Sequence, residues 1–128
     1  MRRPLAAVGL VLTGVALGRP EPDTAAPHQQ GSVQVAVTTD DDATVMLRRY
    51  AAEGPPVLIV HGISSNHHCW DLGPDRSIGL TLQAAGLDAW LMDLRGHGDA
   101  THDADGNRQW AGWSIDHYGR HDIPAAVD

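Results

Sequence analysis

Apolar and polar positions follow two different periods along the chain, and the changeovers fall at glycines and prolines. Residues 32–39 (SVQVAVTT) alternate, placing Val33, Val35 and Val37 on one face, which is the period of a half-buried strand. Asp40, Asp41 and Asp42 form a turn, and residues 43–50 (ATVMLRRY) return as the second strand of an antiparallel hairpin at a sheet edge. Residues 56–60 (PVLIV) are continuously apolar and rich in β-branched side chains. Such a strand belongs inside a parallel sheet covered on both faces. Residues 76–86 (RSIGLTLQAAG) change to a helix in which Ile78, Leu80 and Leu82, with the following Leu87, supply the apolar side and Gly86 the C-cap. Residues 87–94 (LDAWLMDL) are apolar again. Strand, helix and strand together make a βαβ unit, for which a right-handed crossover is expected.

The remainder is more polar. Residues 99–113 form a surface loop, and Ser114 is placed to cap a last helix with Asp116 in its first turn. Pro124 must kink that helix or begin a second one. The predicted class is α/β: an antiparallel edge hairpin, a βαβ unit and a helix, belonging to a mostly parallel sheet that is incomplete in residues 32–128.

The N-terminus has another character. Arg2 and Arg3 precede a mostly apolar, uncharged run from Leu5 to Gly18, and Ala16-Leu17-Gly18 offers small residues for a cleavage site. This is the layout of a signal peptide over residues 1–18, and it predicts export to the periplasm or the extracellular space. The run is too short for a stable membrane span, which needs about 20 apolar residues. Residues 19–31, with three prolines, read as a flexible linker.

Charge narrows the function. The chain of 128 residues carries a net charge of −7, and loss of residues 1–18 removes two arginines and no acid, leaving −9. With no basic cluster beyond Arg48-Arg49 after the leader, a nucleic-acid partner is not expected. Cys69 is the single cysteine, so an internal disulfide is impossible, and it reads as a small buried apolar residue. The acidic triplet lacks further oxygen ligands at loop spacing and reads as a solvated turn rather than a calcium site.

Two segments carry the candidate chemistry: His61-Gly62-Ile63-Ser64-Ser65-Asn66 after the first buried strand, and Asp93-Leu94-Arg95-Gly96-His97-Gly98 after the next. Both lie at the carboxyl ends of neighbouring parallel strands, where open α/β sheets place their sites. The order strand, His-Gly loop, helix, strand, Asp-x-Arg-Gly-His-Gly resembles the opening of the α/β-hydrolase superfamily over about residues 43–98. Residues 113–128 (WSIDHYGRHDIPAAVD) are further similar to the helix before the nucleophile strand in acid-lipase and esterase-like members. Asp93, and Gly98 after His97, fit the broader superfamily better.

The resemblance implies a serine esterase or lipase-like hydrolase acting on small or lipid-like carboxylic esters, without a cofactor. It implies that the Ile63 backbone N–H is one donor of an oxyanion hole, with Gly62 and Ser64 at the substrate. His61, Asp93, Arg95, Gly96, His97 and Gly98 then support the site. His61 braces its loop by hydrogen bonding, because in this superfamily the base follows the nucleophile and the acid. No Gly-x-Ser-x-Gly occurs; Gly112-Trp113-Ser114-Ile115-Asp116 lacks the last glycine and an apolar strand before it. The triad residues are therefore expected outside this sequence, and the chain is expected to be an inactive N-terminal part on its own. Dehalogenase, epoxide-hydrolase and polyester-related chemistry share the same opening.

Two other classes remain open at this level. One is a non-catalytic binding or remnant protein on the same half-sheet. The other is a His-rich metal module using His67, His68, His97, His102, His117 and His121, of which only His117 and His121 have a helix-face spacing. With neither an HExxH nor a second cysteine, these histidines read as surface and loop residues, and no metal is expected. Trp90 reads as core, and Trp70, Trp110 and Trp113 as core or lid packing.

Overall fold

A computed structural model describes residues 31–128. The expected signal peptide and all but the last residue of the linker lie outside the described residues. Four strands, β1 (Val33–Thr38), β2 (Thr44–Tyr50), β3 (Pro56–Val60) and β4 (Asp88–Asp93), form one sheet in the order β1-β2-β4-β3. Helix α1 (Ile78–Ala84) links β3 to β4, and α2 (Ile115–His117) and α3 (Ile123–Val127) close the described chain. No helix among the described residues is long and apolar enough to cross a membrane.

The sheet is mixed. β1 and β4 each pair antiparallel with β2, and β3 pairs parallel with β4. Parallel pairing among the described residues is thus confined to the βαβ unit. The hairpin docks beside β4 rather than β3, which leaves β3 at an edge with its four apolar residues only half-buried.

The period-two pattern of β4 explains the layers. Ala89 and Leu91 face one side, where they pack with Tyr50 and Ile59 under Ile78, Leu80 and Leu82 of α1. Trp90, Met92 and Leu94 lie in the opposite cluster with Val45, Leu47 and Leu58, covered by Tyr118 and Ala126 of the C-terminal helical segment. An apolar strand is stable here because a helix shields each face. Trp90 is only half-buried. Its ring lies 4.9 Å beneath the Arg49 guanidinium and its Nε1 donates to Asp88 at 2.9 Å, so it closes the core at a wet margin.

The helix signals act locally. Ser77 Oγ accepts the Leu80 N–H at 3.1 Å at the start of α1, and beyond its end Gly86 takes φ +82°. Ser114 caps α2, whose His117 ring accepts the Ser114 N–H at 3.0 Å. Pro124 has no N–H for the carbonyl one helical turn back, and the preceding residues Tyr118–Asp122 widen into a π turn before α3.

Candidate active site

The parallel register of β3 and β4 sets the site. Val60 lies opposite Met92, so His61 and Asp93 emerge together at one end of the sheet. The His-Gly loop and the Arg-Gly-His-Gly turn therefore share a rim, with His61 Nε2 4.0 Å from Asp93 Oδ1.

His61 is buried and both ring nitrogens are engaged. Nε2 accepts the Leu94 N–H at 3.2 Å, which leaves the ring proton on Nδ1 to donate to the Gly62 carbonyl at 2.7 Å. The same carbonyl accepts the Ser65 N–H at 3.2 Å. In a trans peptide the carbonyl and the following N–H point in opposite directions. Holding the Gly62 carbonyl with two donors therefore turns the Ile63 N–H the other way. Among the described residues that N–H has no partner, and Ile63 is 71% exposed. Gly62 is exposed, and a Cβ built on it meets nothing within 4 Å. Ser64 is exposed and sits at φ +62°.

Asp93 is 1% exposed and accepts three hydrogen bonds: His67 N–H to Oδ1 at 2.6 Å, and His67 Nδ1 at 2.6 Å and Asp99 N–H at 2.8 Å to Oδ2. Burial opposes its charge, but the His67 ring and the amide donors outweigh it and hold the carboxyl below the usual range. Gly98 is necessary beside it, since a Cβ there would lie 2.2 Å from Asp93 Oδ2. A Cβ on Gly96 would lie 2.3 Å from the Gln109 carbonyl, so Gly96 lets the 99–113 loop close over the turn.

Arg95 faces inward. Its Nε donates to Asp122 at 2.7 Å, and its two terminal nitrogens donate to Asp41 at 2.6 and 2.7 Å. Desolvation works against its charge, and these two carboxylates outweigh it and raise its pKa. Arg95 thus ties the β1–β2 turn to the C-terminal helical segment, with all three guanidinium nitrogens held by these carboxylates. His97 donates from Nδ1 to the Arg95 carbonyl at 3.0 Å, and its ring lies against His61, Trp113 and Tyr118 at centroid distances of 5.1, 5.6 and 6.1 Å.

Three sequence expectations change. His67 is not a surface histidine but is 2% exposed. Cys69 is exposed rather than buried, because its 3-10 turn (His67–Trp70) directs His67 inward and the rest outward. Trp110 is 74% exposed and takes no part in the core, whereas Trp113 packs on His97 and Tyr118. Asp122 carries no motif that marks it in the sequence, yet it is fully buried. An acid on the same helix face as Tyr118 and Ala126, at spacings of four, was the available signal for a buried counter-ion.

Two groups of side chains approach metal-ligand spacing, Asp40 with Asp41 and His121, and His67 with Asp93 and Asp99. In both, the atoms already bind one another or a cation: His121 Nδ1 meets Asp40, Arg95 meets Asp41, His67 meets Asp93, and Arg48 meets Asp99. The His117 and His121 rings lie 5.7 Å apart in a tilted arrangement, but His117 Nδ1 accepts the Ser114 N–H. The fit to a metal is poor.

No family model matches the chain. It is 28% identical to triacylglycerol lipase 1 of Arabidopsis thaliana over 112 residues, 79% of this chain and 28% of that protein. It is 33% identical to lipase member M of Homo sapiens over 79 residues, 58% of this chain and 18% of that protein. Among solved structures, an epoxide hydrolase from an endophytic Streptomyces superposes with a TM-score of 0.51 at 26% identity, covering 77% of this chain and 26% of that one. The chain is related over part of its length to the α/β-hydrolase superfamily. It spans less than a third of the length of each of these relatives.

Proposed function

We propose that residues 32–128 are the N-terminal part of an exported serine hydrolase of the α/β-hydrolase fold that cleaves carboxylic ester bonds. The observation that carries this reading is the Ile63 N–H, turned outward at the sheet rim and without a partner among the described residues. When a nucleophile adds to an ester carbonyl, negative charge gathers on the oxygen, and a fixed N–H aimed at it lowers the barrier by several kcal/mol, about 3 for one donor. Gly62 and Ser64 would flank the substrate, and Gly62 presents no Cβ to an approaching acyl group. The nucleophile, acid and base would come from residues outside this sequence.

The test uses the protein encoded by the complete reading frame with a fluorophosphonate probe and a p-nitrophenyl ester. Covalent labelling with ester turnover is expected. Absence of both overturns the reading in favour of a non-catalytic binding or remnant protein. The Streptomyces match favours epoxide opening as the second reading. Turnover of an aryl epoxide without probe labelling would select it.

A further inference from the structure

The loop that presents the Ile63 amide is attached at both ends to the end of β4. At its start His61 accepts the Leu94 N–H, and at its finish both the main chain and the ring of His67 bind Asp93. Only the five residues from Gly62 to Asn66 lie between these anchors. We propose that His67 is a positioning residue, a latch that with Asp93 fixes the direction of the Ile63 N–H. The proposal rests on the ester-hydrolysis reading for what the amide is aimed at.

Three features distinguish a latch from ordinary packing. His67 Nε2 is buried without a hydrogen-bond partner. A ring placed for packing alone would turn its second nitrogen to water or to a partner, because an unmade buried hydrogen bond is costly. The ring has instead the one orientation that brings Nδ1 to 2.6 Å from Asp93 Oδ2. Second, Ser64 occupies the left-handed region at φ +62° without being glycine. Such a conformation persists when the flanking structure over-determines it, and here both flanks are tied. Third, the Asp93 oxygen that receives the His67 ring also receives the Asp99 N–H, in the space that Gly98 leaves open. One carboxylate thereby sets the His-Gly loop and the Arg-Gly-His-Gly turn in register.

The test compares His67→Leu with His67→Asn, whose side-chain amide places a donor near the position of Nδ1. The readout is backbone ¹⁵N relaxation and amide exchange in the protein encoded by the complete reading frame. In His67→Leu the amides of Ile63, Ser64 and Ser65 should lose order, and the Ser65 N–H, bonded to the Gly62 carbonyl, its exchange protection, while Ala89 and Leu91 keep theirs, and His67→Asn should restore the loop. Unchanged loop order in His67→Leu, or an asparagine variant no better than leucine, overturns the latch. Should His67→Leu fail to fold, the unmodified protein decides. A His67 Nδ1–H resonance protected from water supports the latch, and a folded spectrum without one overturns it.

In the protein carrying its nucleophile, His67→Leu should lower kcat by up to about 100-fold with little change in KM, and His67→Asn should recover most of it. Loop order that depends on His67 in a protein the probe never labels sinks the ester reading and leaves the latch standing. Labelling with a His67-independent loop does the reverse.

Discussion

Arg95 and Asp122 form a buried ion pair, Nε to Oδ1 at 2.7 Å, and the second oxygen of the same carboxylate accepts the Arg95 main-chain N–H at 3.1 Å. Asp122 is wholly enclosed and Arg95 is 4% exposed. The pair fastens the C-terminal helical segment to the turn after β4. Asp122→Ala leaves the Arg95 charge paired with Asp41 but strips the buried Arg95 Nε and main-chain N–H of their acceptor, so it should cost about 2 kcal/mol or more of unfolding free energy by urea titration. A loss within the scatter of surface substitutions would contradict this assignment.

The glycines of the two turns should respond differently. Gly98→Ala sets a Cβ 2.2 Å from Asp93 Oδ2 at a φ of +49°, and should destabilise the chain by roughly 2 kcal/mol. Gly62→Ala meets open space and should change stability by less than about 0.5 kcal/mol. If Gly62 flanks the substrate, the same change should still slow probe labelling of the complete protein. Equal melting temperatures for the two variants would refute the packing argument.

Acid should weaken the fold in a defined direction. The Arg95 guanidinium bonded to Asp41 holds that carboxyl well below the ordinary carboxylate range, and Asp93 is also lowered. A group whose folded pKa is depressed stabilises the protein above its unfolded value, about 4, and loses that contribution as pH falls through the folded value. The melting temperature should therefore fall on acidification below about pH 4. Asp41→Asn should make that fall shallower, and an unaltered slope would remove Asp41 from the account.

Metal should make no difference to stability. The histidines and carboxylates nearest to ligand geometry are engaged with one another, as His121 is with Asp40 and His67 with Asp93. EDTA, and then added zinc, should leave the melting curve in place. A zinc-dependent rise would revive a metal-binding role, since a ligand that binds only the folded state stabilises it by mass action.

The strands and helices of residues 31–128 were legible because their signals are local. Alternation marked β1, a continuous apolar run β3, and Gly86 and Ser114 sit at helix ends with the geometry such residues favour. The shared rim of the two turns also followed from order along the chain, because parallel neighbours present their carboxyl ends together. Partner choice did not follow. That the hairpin pairs with β4 rather than β3, and that His67 turns inward while Cys69 turns outward, depends on contacts between residues far apart in sequence. The same holds for Asp122, whose charge is tolerable only because Arg95, 27 residues earlier, is folded against it. Periodicity reports which face a residue belongs to, whereas the pairing of buried polar groups is decided only when the layers close and exclude water.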